Sequence, residues 1–180
     1  MMLIDDNGWL QGCEHLASPN FDARTAGDID LLVIHNISLP PGEFGGDGVQ
    51  CLFTNTLDRN AHPYYRTIPE GRLSSHFYIR RDGQLIQFVS VLQRAWHAGA
   101  SVWQGRTRCN DFAIGVELEG TDSVPFTDAQ YAVLHQLTLT LRAAFPIAGI
   151  AGHSHIAPDR KTDPGPCFDW LRYLVELSVK

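Results

Sequence analysis

Between Gly152 and Pro166 the chain reads GHSHIAPDRKTDPGP, which gathers His153, His155, Asp159, Lys161 and Asp163 into one short stretch. Neutral imidazole and carboxylate are ligands for Zn²⁺, and a lysine beside them can stabilise negative charge developing on a substrate. Three prolines and two glycines in the stretch predict an irregular loop. A loop so rich in titratable groups predicts the rim of an active site.

A metal site needs ligands from separate segments that converge on one point. His35 follows the apolar run Leu31-Leu32-Val33-Ile34, and His153 ends the run Ile147–His153; both read as short strands that end at a histidine. Two imidazoles and one carboxylate leave a tetrahedral position open, the pattern of a catalytic zinc site. The third ligand is open between two residues. Asp163, ten residues past His153, can return along the loop, whereas on an extended segment His155 shares a face with His153. The remaining histidines, His15, His62, His76, His97 and His135, read from spacing alone as packing or surface residues.

In FAIGVELEG a period of two places Ala113, Gly115, Glu117 and Glu119 on one face and Ile114, Val116 and Leu118 on the other. A carboxylate on a face lined by Ala and Gly has room for a ligand above it, so Glu117 is the expected general acid/base. Lys161 is the expected partner of an oxyanion formed by attack on an amide.

The elements that must position these groups alternate in type. A short helix is expected over about 49–57, and strands over 75–81 and 84–90 flank Asp82-Gly83, a strong hairpin signal. A strand is expected over 112–118. Thr127 with Gln130 forms a capping box for a helix carrying Tyr131, Leu134, Leu137, Leu141 and Phe145, stopped by Pro146. A last helix is expected over about 169–177. The expected fold is α/β, a single domain over residues 1–180 with a central mixed sheet flanked by helices. The Pro- and Gly-rich Pro40–Gly48 beside His35 reads equally as a movable flap or as a fixed surface loop.

With 180 residues the chain can bury a core without staples. A net charge of −6 argues against nucleic-acid binding through bulk electrostatics. The start of the chain carries no basic segment followed by an apolar one, and no apolar run reaches membrane-spanning length, so neither export nor a membrane partner is expected. The four cysteines, Cys13, Cys51, Cys109 and Cys167, form no C-x-x-C pair; reduced thiols and a cytoplasmic location are the expectation. No interface stripe is visible, and a monomer is expected. The absence of H-E-x-x-H weighs against a zinc peptidase of another kind.

VIHNISLPPGEFGG, SSHFYIRRDG, RAWHAG, RCNDFAIGVELEGTD, FTDAQY and GHSHIAPDRKTDPGP, in this order, resemble the AmpD type of N-acetylmuramoyl-L-alanine amidase, from the Gly8-Trp9 region to about Trp170. The resemblance implies the fold shared by type 2 amidases and peptidoglycan recognition proteins. It implies one Zn²⁺ held by His35, His153 and Asp163, with Glu117 and Lys161 catalytic. It further implies contacts to an anhydromuropeptide substrate from Asn36, Trp96, His97 and Arg108, and a role in recycling cell-wall fragments in the cytoplasm. A guanidinium at Arg108 could grip the stem-peptide carboxylates, and Trp96 could offer a plate to a sugar. One departure stands out: the family usually carries aspartate where this chain has His155. A member of this fold that lacked the third ligand or the acid/base group would read as a binding module instead.

Overall fold

Two buried, largely apolar strands, Leu31–Ile37 and Ala113–Glu119, build the centre of a computed structural model that describes residues 2–25, 27–69 and 71–178. In chain order the elements are β1 (Glu14–His15), β2 (Phe21–Ala23), β3 (Leu31–Ile37), α1 (Gly48–Phe53), β4 (Phe77–Ile79), β5 (Leu85–Gln87), β6 (Gln93–Ala95), β7 (Val102–Trp103), β8 (Arg106–Thr107), β9 (Ala113–Glu119), α2 (Asp128–Ala144), β10 (Gly149–Gly152), α3 (His153–Ile156) and α4 (Trp170–Glu176). Six strands form the main sheet in the order β1-β5-β4-β9-β3-β10. β4 and β5 pair antiparallel, while β9 runs parallel to both β4 and β3, and β3 parallel to β10. The sheet is therefore mixed, as expected from the order of elements.

The two faces of the sheet are distinct. Leu32, Ile34, Ile114, Val116 and Leu118 point to one side and pack against Tyr131, Leu134, Leu137 and Leu141 of α2 and Tyr173 of α4. Each such aliphatic side chain contributes about 1.5–3 kcal/mol by leaving water. Thr127 caps α2 as expected: its side chain accepts from the Gln130 amide while the Gln130 side chain returns to the Thr127 N–H. His135 bridges α2 to α4 through the Glu176 carbonyl at 2.9 Å. On the opposite face Tyr78, Ile86 and Phe88 meet Val49 and Phe53 of α1. Leu31, Val33, Ala113 and Ala151 meet Ile156 of α3 there.

The Asp82-Gly83 hairpin forms, with strands Phe77–Ile79 and Leu85–Gln87 shorter than the expected runs and single backbone hydrogen bonds, Arg80 N–H to Gln84 and Phe88 N–H to His76, just beyond them. The loop after β10 departs from expectation in one respect. His153–Ile156 winds into a single helical turn, and the prolines take effect only beyond it.

Candidate active site

β3, β9 and β10 are neighbours in the sheet and run in one direction, so their carboxyl ends lie together, where open α/β sheets place ligands. Register does the rest. His35 sits opposite Glu117, and Gly152 opposite Ile34, which puts His153 one step past β10 beside His35. Both odd-numbered rows, His35 on β3 and Glu117 on β9, project to the α1/α3 face. Asp163 arrives by the loop: its carbonyl accepts the Ser154 N–H at 2.9 Å, and the next carbonyl, Pro164, accepts from Asn36 at 3.0 Å. Gly165 closes this turn at φ +81°, with Asp122 so near that a Cβ would lie 2.5 Å from its Cα.

The three groups meet in a nearly equilateral triangle. His35 Nδ1 lies 3.0 Å from His153 Nδ1 and 3.0 Å from Asp163 Oδ2, and His153 Nδ1 lies 3.1 Å from the same oxygen. Two imidazole lone pairs and a carboxylate oxygen at such separations repel unless a proton or cation lies among them. Ligand atoms ~2.0–2.1 Å from a tetrahedral Zn²⁺ are about 3.3–3.4 Å apart, so the triangle is within a few tenths of an ångström of one face of that tetrahedron. The outer nitrogens are also committed. His153 Nε2 is 3.1 Å from the Ala98 carbonyl, which obliges it to carry the proton and leaves Nδ1 free to ligate. His35 Nε2 is 2.9 Å from His97 Nδ1. The donor set fits a single divalent ion.

Electrostatics favour the same assignment. Burial pushes His35 down to about 4, against the pull of Asp163, so its imidazole is neutral at physiological pH. Burial works against the Asp163 carboxylate, yet hydrogen bonds with His153 and His35 hold it well below the usual range. Glu117 is buried beside the triangle, its Oε1 4.0 Å from His35 Nδ1 and its Oε2 without a partner. Burial, then the charge of Asp163, raises its pKa well above the ordinary value, while Lys161 lowers it. Lys161 therefore acts on Glu117 through space, and it forms no salt bridge among the described residues.

The helical turn settles the geometry of His155. Two residues apart on a helix means about 200° of rotation, so His153 and His155 point away from each other rather than to one face. His155 Nδ1 instead accepts the Gly152 N–H at 2.9 Å, and its ring packs against Trp170 at 5.1 Å between centroids, tilted by 41°. It caps the turn, a task that an aspartate at this position could share.

The residues expected to touch substrate fall into different settings. Asn36 lies on the α2 side of β3, its amide donating to Asp122 at 2.8 Å and to Pro164. Trp96 is half-buried and its indole N–H donates to Asp22 at 3.2 Å. Asp22 and Asp111 both pair with Arg94. Arg108, in the left-handed region at φ 61°, holds Asp111 through Nε at 3.1 Å with its side chain 65% exposed. It lines an open cavity of about 690 Å³ with His155, Asp159 and Arg160. One ring nitrogen of His97 faces His35 and the other is closed to solvent. The room foreseen above Gly115 is filled by this ring, since a Cβ there would lie 2.5 Å from His97 Cγ. Glu119, absent from the expected site, ties the 40–48 loop to the sheet by accepting from Gly45 N–H at 2.6 Å and Arg81 N–H at 2.9 Å.

Comparison with known proteins supplies the family. Residues 25–166 match the model of the N-acetylmuramoyl-L-alanine amidase family. The chain is 54% identical to the 1,6-anhydro-N-acetylmuramyl-L-alanine amidase AmpD of Salmonella typhimurium (strain SL1344), covering 98% of this chain and 97% of that protein. It is 53% identical to AmpD of Escherichia coli (strain K12), over 98% of both. Among solved structures it resembles a crystal structure of a selenomethionine derivative of AmpD, with a TM-score of 0.94, 54% identity and coverage of 98% and 99%.

Proposed function

The chain belongs to the N-acetylmuramoyl-L-alanine amidase family and is an amide hydrolase, and on that premise we propose that it cleaves anhydromuropeptides with one bound Zn²⁺. The bond cut joins the lactyl group of 1,6-anhydro-N-acetylmuramic acid to L-alanine of the stem peptide. The observation that carries this reading is the triangle of His35, His153 and Asp163 beside a buried, half-unpartnered Glu117.

His35 and His153 through Nδ1 and Asp163 through Oδ2 would hold the metal. When bound, Zn²⁺ supplies Lewis acidity to a carbonyl and lowers the pKa of water. Glu117 accepts the proton of the attacking water and returns it to the leaving alanine nitrogen. Burial raises the proton affinity of this carboxyl and Lys161 lowers it, and a positioned carboxyl can serve first as base and then as acid. Lys161 offsets the negative charge that develops on the former carbonyl oxygen. Arg108, with its exposed guanidinium, receives a stem-peptide carboxylate. Trp96 and Asn36 stand as further candidates for contact with substrate, and Asn36 also secures the Asp163 loop.

A complex of AmiD from E. coli with anhydro-N-acetylmuramic acid-L-Ala-D-gamma-Glu-L-Lys, 28% identical with a TM-score of 0.61, supports this substrate class. We place the activity in cytoplasmic recycling of wall fragments, carried out by a monomer whose residues 1–180 form one domain. The four free cysteines suit a reducing compartment, and none of the described helices is long and apolar enough to cross a membrane. Incubation with an anhydromuropeptide, with and without a chelator, tests the reading. Chelator-sensitive release of the stem peptide is expected; binding without release would make the protein a recognition module instead.

A further inference from the structure

His97 and Ala98 are consecutive, and each meets the outer nitrogen of a different triangle histidine. The His97 ring faces His35 Nε2 at 2.9 Å, and the Ala98 carbonyl faces His153 Nε2 at 3.1 Å. One side chain holds this pair from behind: Asn110 Oδ1 accepts the N–H of His97 at 3.2 Å and of Ala98 at 2.8 Å. From the sheet side the His97 ring rests on Gly115, the one point of the β9 face where only hydrogen leaves space for it.

From this arrangement we infer that His97 is a positioning residue for the metal site, the acceptor that fixes the tautomer and aim of His35. The inference rests on the triangle being a metal site. A His35 that offers Nδ1 to an ion must carry its proton on Nε2. That N–H then needs an acceptor, and His97 Nδ1 is the atom in place. His97 must in turn be protonated on Nε2, a nitrogen with no partner and no solvent among the described residues. His76, whose ring lies 5.6 Å from that of His97, makes no hydrogen bond to it: its Nδ1 accepts the Gly115 N–H at 3.0 Å, and its Nε2 lies 3.1 Å from both the Gln93 carbonyl and Arg24 Nη2. Ala98 performs the same service for His153 with a backbone oxygen, so a single clamped segment orients both imidazoles.

Outer partners of ligating histidines change metal affinity by about 10–100-fold when removed. In His97→Asn the side-chain oxygen can occupy the place of Nδ1, whereas His97→Leu keeps bulk and removes the acceptor. Zinc dissociation constants, measured by competition with a chromophoric chelator on the full chain, should rise at least tenfold for His97→Leu and largely recover for His97→Asn. Equal affinity of wild type and a folded His97→Leu would overturn the inference, as would a His97→Asn as weak as His97→Leu. Failure of the wild type itself to bind zinc would remove the metal reading along with it, a distinct outcome. Imidazole ¹⁵N shifts of the zinc-loaded wild type give a reading that needs no variant to fold. His97 and His35 should both be Nε2–H tautomers, and a His97 protonated at Nδ1 would refute the role.

Discussion

Replacing Glu117 by glutamine separates acid/base chemistry from folding and metal binding. The substitution keeps shape and burial while removing the ability to take a proton. Nothing in the fold depends on the charge: Oε2 has no partner, and burial together with Asp163 already disfavours the ionised form. Unfolding free energy should therefore stay within about 1 kcal/mol of wild type, or rise. The side chain is 4.0 Å from His35 Nδ1 and contributes no atom to the triangle, so zinc stoichiometry should be unchanged. Proton transfer by a positioned side chain is worth about 10²–10⁴ in rate, which at ~1.36 kcal/mol per tenfold is roughly 2.7–5.5 kcal/mol of barrier. The loss should fall on kcat, with KM little altered, because the group acts while the bond is being made and broken. Chromatographic release of stem peptide from an anhydromuropeptide gives kcat and KM; metal analysis and urea unfolding complete the set. Turnover within tenfold of wild type, or loss of zinc with Glu117→Gln, would refute the assignment.

Other substitutions probe the surroundings. Asp163→Ala should abolish zinc binding, whereas His155→Ala should retain it and lose about 1 kcal/mol from the missing cap, measured by metal content and thermal unfolding; the reverse pattern would exchange their roles. Glu119→Ala strands the Gly45 and Arg81 N–H groups and should cost about 1–3 kcal/mol in urea unfolding while exposing residues 40–48 to limited proteolysis; an unchanged digestion pattern would show that the loop is held otherwise. Burial, and then the charge of Arg24, pushes His76 down to about 3, below the ~6.5 of an unfolded histidine. The unfolded chain therefore takes up this proton first as pH falls, and stability present above about 6.5 is lost progressively towards 3. At pH 5 the deficit from this residue is about 2 kcal/mol, and His76→Gln should show a shallower fall between pH 7 and 5 in chelator-treated protein; an identical slope would remove His76 from the account.

The parts of the site legible in the sequence were those governed by one local rule. Strand runs that end in histidine, and a period of two through FAIGVELEG, are rules of this kind, and the parallel register of β3, β9 and β10 converts them directly into the adjacency of His35, Glu117 and His153. Asp163 needed more, because its place depends on a loop held by Ser154 and Asn36, contacts across nine and more than a hundred residues that spacing does not encode. The misreadings share one cause. Treating the segment after β10 as extended made His155 an equal of Asp163, but one turn of helix rotates it through about 200° onto Trp170. Treating Gly115 as open room overlooked that a glycine in a strand also marks close approach by another part of the protein, here the His97 ring. In both cases the local pattern was right and the occupant of the neighbouring space was set by tertiary packing. That is why His35, His153 and Glu117 could be read from residue types and spacing and Asp163 only with the family resemblance, while the segment that aims the imidazoles, His97-Ala98 clamped by Asn110, became visible only in the fold.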